Sequence, residues 1–554
     1  YMLLRTRPTL LSTTLLLLHR SSRSARVRAF TAMAQNDKSD NKQAQKQQQH
    51  KFCVIGHGLI GTAACKYLAA KGEDVVLVGP SEGKAHGACY DEGRIYRILD
   101  PIESWSKLAQ RSIDQYESIQ NTSGVEGLFI ESGLLVFGID EKFMQRTRAT
   151  AQKLGTPLEE LSSEELAKKF AWLSVPASTK AGLWQQQQAG TISPRKLIEA
   201  QLRLAKHHGA TYVDEVVSAV EKASDGDHFV VTLENSDTVL ADNVLVATGV
   251  HSSVLPVLPE KIVVNLTGSQ ALFIELTAEE AKLMEGMPTI MYEGPSAEEC
   301  FYMLPPIQYP DGSWLMKIGP STKFSPNLKT LQDVNAWFER GHVDPEFRDV
   351  AVETLKLLFP QLSLDNIRPL LCVTDNTPTL NCYIDMLAPG WGLASGGNGW
   401  AAKSSDEIGR LAADMMALPT KWTTDPDFPQ KWFKAITESS LSVSESGAEV
   451  ADLKTPLVKV ESCAQLSNEQ VAQAVTALSG IVGHTAKPIP PHEWCSKLSA
   501  ELEKQWGATP SVLCLEEFDP KSTAWAATHP YVMLLTTARF CDDGPERLFL
   551  VLPR

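Results

Sequence analysis

The stretch from Lys51 to Gly61, KFCVIGHGLIG, constrains the fold more than any other part of this chain. A short apolar run, Phe52 to Ile55, stops at Gly56, and Gly58 and Gly61 follow at G-x-G-x-x-G spacing. A helix-compatible run (Thr62 to Lys71) and a second apolar run (Asp74 to Val78) come next. A strand that ends in a glycine turn and opens a helix makes a pyrophosphate cradle. Gly56 permits the turn, Gly58 lets backbone approach phosphate, and Gly61 lets helix and strand pack closely. The N-terminus of the helix that follows adds unpaired N–H donors and a partial positive charge. Glycine turns are common, so the specificity comes from the β-α-β context. An acid is usual after the second strand, where it accepts ribose hydroxyls. Gly79 stands there instead, which leaves Ser81 or Glu82 as substitutes.

Composition narrows the classes. A length of 554 residues suggests two to four domains. An apolar fraction of 43% with 21% charged residues is that of a globular protein, and a net charge of −14 argues against nucleic-acid binding. Ten scattered cysteines with no C-x-x-C pair suggest a reducing compartment, with neither a zinc site nor a disulfide framework. Residues 1–50 differ from the rest. Arg5, Arg7, Arg20, Arg23, Arg26 and Arg28 precede the first acid, Asp37, and the Leu10–Leu18 patch is too short to span a membrane. This segment reads as a targeting peptide and linker. Mitochondrial import is expected, the alternatives being a plastid route or a cytosolic protein translated from Met33.

Further along, Gly93-Arg94-Ile95-Tyr96-Arg97 places two arginines three apart, on one side if the segment is a helical turn. They read either as an anion clamp or as a surface pair. Helices are expected over Trp105–Tyr116, Arg195–His208 and Asp406–Met416, and a strand over Glu131–Gly138. Thr211 to Val217, a hairpin, and Val244 to Ala247 ending at Thr248-Gly249 complete a layout of two dinucleotide-binding halves. Lys317 is a cation inside the apolar run Trp314–Gly319, either snorkelling from an edge strand or functional. Ser395-Gly396-Gly397-Asn398-Gly399 opens a second helix suited to a polar ring edge.

In this order the motifs resemble FAD-dependent amine oxidases of the D-amino-acid oxidase superfamily, nearest to monomeric sarcosine oxidase and pipecolate oxidase. The markers are the Gly56–Gly61 turn, GRIYR, ESGLLVFG, the A-T-G turn at Gly249, LMKIG (Leu315 to Gly319), C-V-T-D…Y-I-D (Cys372 to Asp385) and GGNG. The resemblance, from about Lys51 to Leu418, implies an α/β fold. A discontinuous Rossmann-like FAD domain (51–100, 186–262, 365–418) carries an antiparallel-sheet substrate domain (101–185, 263–364). It implies flavin contacts at Gly56, Gly58, Leu59, Ile60, Gly61, Ser81, Arg94, Val217, Gly249, Gly397, Asn398 and Gly399. Cys372 matches the covalent flavin tether, against the alternative of an ordinary buried thiol. Lys317 matches the oxygen-activating lysine, Arg97 the arginine that grips the substrate carboxylate, and Tyr302 an aromatic beside the substrate. Three departures stand out. Cys89 and Tyr90 replace paired histidines, the ribose acid is missing, and the second carboxylate-binding cation falls on Ala401, leaving Lys403 two residues on.

The implied reaction is oxidation of a secondary amine or amino acid by hydride transfer to FAD, with O₂ then giving hydrogen peroxide. A same-fold dehydrogenase that uses a protein acceptor, or a flavin-carrying assembly factor, are the alternatives. Residues 419–457 read as a linker. Residues 458–554 read as a small α/β extension with a capped helix at Ser467, a helix over His492–Trp506 and strands at Ser511–Leu515, Tyr531–Thr536 and Arg547–Leu552. The cluster His484, His492, Glu493 and Cys495 fits no zinc spacing, so no metal is expected. Neither nucleic acid nor stable membrane insertion is expected, and the sequence leaves the oligomeric state open.

Overall fold

The computed structural model describes residues 48–442, apart from 101, 140, 225, 321–323 and 419–424, and three strands beyond them. Two large sheets organise it. The first has eight strands, with Gln49–Ile55 in its centre, parallel to Val75–Val78 on one side and Thr238–Val246 on the other. Val75–Val78 is buried at all four positions, as a strand covered on both faces must be. Thr211–Val213 extends the parallel part beyond it, and Trp391–Ser395 joins on the other side of Thr238–Val246.

The helix after the glycine turn spans Leu59–Ala70 and packs against Ser405–Ala417. Gly409 permits that approach, since a Cβ there would lie 2.4 Å from the Ala63 Cβ. Asp406 ties the layers together. It accepts from Lys66 at 2.5 Å, Tyr67 at 2.7 Å and Gln201 at 3.2 Å, all out of solvent or nearly so. The helix Pro194–His207 follows its Ser193 cap, whose hydroxyl accepts from the Lys196 N–H at 3.3 Å, with proline in the first turn.

The second sheet has nine strands and is antiparallel except where Thr289–Glu293 runs parallel to Leu134–Gly138. Its apolar face is covered by Pro345–Leu358, which buries Phe347, Leu355 and Leu358. A three-stranded ribbon (Arg94–Arg97, Ala189–Ile192, Phe129–Ile130) completes the architecture.

Several expectations change. Arg94–Arg97 is a strand and not a helical turn, so its two arginines lie on opposite faces. The strand Ile367–Asn376, which carries Cys372, pairs with Asn265–Leu276 in the second sheet and not in the dinucleotide sheet. The helix Glu103–Ser123, expected in the substrate domain, buries Trp105 and Leu108 in the same core as Phe52 and Leu77. Residues 425–442, expected to be linker, pack on the first domain. Phe428 and Phe433 are fully buried there, and the Ile384 N–H donates to Phe433 O at 2.9 Å. In the C-terminal segment, Leu457–Val460, Glu546–Leu552 and Tyr531–Thr537 form an antiparallel sheet. The expected strand Ser511–Leu515, both helices and the His484 cluster lie outside the described residues. Among those residues no helix is long and apolar enough to cross a membrane, and no group of acids, histidines or cysteines is arranged to hold a metal.

Candidate active site

Two glycine turns lie at the same edge of the first sheet, after Gln49–Ile55 and Trp391–Ser395, which both run parallel to Thr238–Val246. At the first, a Cβ on Gly56 would lie 2.3 Å from Ala247 O, and one on Gly61 would lie 1.9 Å from Gly56 O. Both glycines are therefore demanded by packing. A Cβ on Gly58 would meet nothing nearer than Cys89 Sγ at 3.7 Å, so that side stays open for a phosphate. Gly79 is also forced, because a Cβ there would lie 2.4 Å from the His57 N and 2.9 Å from the His57 Cβ. His57 thus stands beside the position where an acid is usual. Its ring packs against Tyr212, tilted by 33° at a centroid distance of 4.6 Å, and its Nε2 is buried without a hydrogen-bond partner. Burial lowers the His57 pKa, so the imidazole is held neutral.

The second turn is braced by Asp375. Its carboxylate accepts from the Gly396 N–H at 2.7 Å, the Gly397 N–H at 3.0 Å and the Ser395 hydroxyl at 3.0 Å. Asn398 sits at φ 51°, donates to Gly396 O at 2.7 Å and accepts from the Thr377 N–H at 2.8 Å. Its side chain is thus committed to shaping the turn, and its own N–H donates to Asp375 O at 3.0 Å.

A cavity of 1850 Å³ runs between the two turns and along the second sheet. Gly56, Gly58, Leu59 and Ile60 line one end, with Val217 and Gly249 beside them. Cys372, Gly397, Asn398 and Gly399 line the middle, and Arg94, Arg97, Tyr302, Lys317 and Lys403 the far end. Two expected residues lie outside the wall. Gly61 packs behind the turn, and Ser81 donates both N–H and hydroxyl to Asp214 at 2.7 and 2.9 Å. Glu82 is paired with Arg195, so neither proposed replacement for the ribose acid is free.

The strand conformation of Arg94–Arg97 splits the far end into two cationic poles. At one pole Lys317 is 3% exposed on an interior strand, which excludes snorkelling. It donates to Gly93 O at 2.7 Å and pairs with the buried carboxylate of Asp91, which also pairs with Arg94. The ends of the Ile307 and Leu304 side chains pack over Gly93, 2.6 and 2.9 Å from where a Cβ would stand. Cys372 stands near this pole, on the strand beyond Asn265–Leu276, where it is paired with Ser269. Tyr302 lies opposite Gly319, and a Cβ on Gly319 would lie 2.4 Å from the Tyr302 ring. Burial raises the Tyr302 pKa to about 12, keeping it a neutral phenol.

At the other pole Arg97 donates to Leu99 O at 2.8 Å and to the Asp100 carboxylate at 3.3 Å. A short 3₁₀ turn, Ala401–Ser404, brings Lys403 to the same Asp100 oxygen at 3.2 Å. The extra turn thus carries Lys403 past the place that Ala401 leaves without a cation. Two cations and one carboxylate leave a single net positive charge. Asp91 and Asp100 carry no role in the sequence reading, and Asp375 enters it only as the last residue of the C-V-T-D marker. A lone aspartate gives no signal of its partner.

Two glycine turns on one cavity, with residues of the second sheet completing its wall, are the marks of a dinucleotide-binding oxidoreductase. Residues 51–415 match the family FAD dependent oxidoreductase, and the chain belongs to that family. It is 29% identical over 191 residues to a monomeric sarcosine oxidase of Streptomyces avermitilis, covering 33% of this chain and 48% of that one. It is 24% identical over 396 residues to a probable sarcosine oxidase of Arabidopsis thaliana, covering 65% and 86%. The match thus spans about half the length of the first relative and most of the second. Among solved structures, NikD, an unusual amino acid oxidase essential for nikkomycin biosynthesis, shares the fold with a TM-score of 0.59 at 19% identity, covering 71% and 98%.

The residues fit FAD. The Gly58 opening suits the pyrophosphate, the unpartnered His57 Nε2 lies at the ribose end, and the braced Gly397–Gly399 turn lines the same cavity.

Proposed function

We propose that this chain is a flavin-dependent oxidase of a secondary amine or amino acid bearing a carboxylate, with O₂ as the electron acceptor. The observation that carries this reading is the pair of cationic poles in one cavity, Arg97 with Lys403 and Lys317 with Arg94. FAD, when bound, accepts the hydride equivalent from the carbon next to the amine. Arg97 and Lys403 grip the substrate carboxylate, since their single shared counter-ion leaves one positive charge uncompensated. Tyr302, neutral and fitted against Gly319, walls the substrate without competing for its amine proton. Lys317 presents positive charge to the anion that O₂ becomes as it accepts electrons. Cys372, a free thiol in the cavity wall, supports the reading that the cofactor is held covalently there.

The test is peroxide release by the purified yellow protein on a panel of N-methyl and cyclic amino acids, with the decarboxylated amines as controls. Turnover confined to the carboxylates supports the reading. A yellow protein that no amine bleaches anaerobically refutes it.

A further inference from the structure

The Lys317 pole contains a carboxylate that the proposed reaction does not call for. Asp91 is 1% exposed and lies behind the cavity wall. It pairs with Lys317 and with Arg94, accepts from the Tyr309 hydroxyl at 2.5 Å, and accepts from the Glu92 N–H at 2.8 Å. Both cations line the cavity, while Asp91 and Tyr309 do not. A carboxylate so placed touches no substrate and no flavin. Its effect must pass through the two cations.

We infer that Asp91 is a positioning residue that holds Lys317 and Arg94 as one unit of net single positive charge at the cavity wall, and so sets how readily reduced flavin delivers electrons to O₂. The inference rests on the oxidase reading. The overall step is balanced: reduced flavin gives two electrons and two protons, O₂ becomes hydrogen peroxide, and Asp91 is unchanged.

The groups facing Lys317 are few. From the preceding loop and strand come Asp91 and Arg94, from the strand Ile367–Asn376 the Cys372 thiol, and from Asn265–Leu276 the Phe273 ring at 5.4 Å. Tyr302 and Tyr309 flank it as neutral phenols, both raised to about 12 by burial. Burial pushes the Lys317 ammonium toward deprotonation, and Arg94 adds to that. Asp91 is the only anion among these groups. Without it, burial and Arg94 act on Lys317 with no anion to oppose them, and its charge is lost from the wall as pH rises.

The test uses the flavin-loaded enzyme, reduced by light so that no substrate is needed, then mixed with O₂ across about pH 6 to about pH 9.5. Wild type is expected to reoxidise at a rate nearly independent of pH. Asp91→Asn is expected to slow by about tenfold or more as pH rises, with a one-proton transition. Tyr309→Phe keeps the charge and is expected to stay flat. A second readout needs no turnover. The visible absorbance of the oxidised holoenzyme should show the same one-proton transition in Asp91→Asn and lose it in Asp91→Asn/Lys317→Met. A flat profile and a flat spectrum in Asp91→Asn overturn the inference, as does a transition that survives loss of Lys317. A colourless wild-type protein would overturn the flavin reading, and this inference with it.

Discussion

The Lys403 ammonium lies 3.2 Å from the Asp100 carboxylate, and neither side chain reaches bulk solvent. Burial lowers the Lys403 pKa to about 8; Asp100 opposes that shift, and Arg97 adds to it. Below about 8 the lysine carries its charge, and above it the anion clamp falls back on Arg97 alone. Binding of a carboxylate ligand should therefore weaken as pH rises through this value, by about tenfold, the worth of one charged hydrogen bond. Titrating the affinity of a carboxylate inhibitor against pH checks this. Lys403→Met should bind weakly at every pH and lose the transition.

Cys372 should hold the flavin through acid. Precipitated wild-type protein is expected to give a yellow pellet, and Cys372→Ala a colourless pellet with FAD in the supernatant. A colourless wild-type pellet would show that the thiol is only a neighbour of the cofactor.

Two glycines should fail in different ways. Gly56→Ala sets a methyl against the Ala247 carbonyl, at a backbone angle of φ 121°. Backbone cannot yield there, so a loss of about 1–3 kcal/mol and a fall in bound flavin are expected. Gly319→Ala meets only the outer edge of the Tyr302 ring. That ring can swing, so flavin content and melting temperature should hold while KM rises.

Phe433 anchors the chain beyond the last long helix. Phe433→Ala should open a cavity in the dinucleotide core and cost about 3–5 kcal/mol in a denaturant titration. If residues 425–442 were a linker, the same change would cost almost nothing.

Much of this was legible in sequence because it rests on local chemistry. The Gly56–Gly61 turn, the helix over Arg195–His208 and the apolar run around Lys317 are each set by neighbours along the chain. What was not legible depends on distant pairing. Arginines three apart share a face on a helix and oppose each other on a strand, and only the pairing of Arg94–Arg97 with Ala189–Ile192 decides between them. Asp91 and Asp100 look like any solvated acid until Lys317 and Lys403 arrive from far downstream. The tail around Phe428 shows no period because it packs through isolated aromatic anchors and backbone bonds, such as Val263 N–H to Ile436 O at 2.8 Å.

That tail also bears on how the protein is made. The first glycine turn leaves the ribosome early, but the strand Trp391–Ser395, the braced turn after it and the Phe433 anchor come hundreds of residues later. Until then the early strands present an unpaired edge and the nucleotide cradle has only one wall. Cofactor loading therefore belongs to the finished chain. A truncation made after the helix Ser405–Ala417 but short of Phe433 should yield a protein that fails to hold flavin, even though every cavity-lining residue is present.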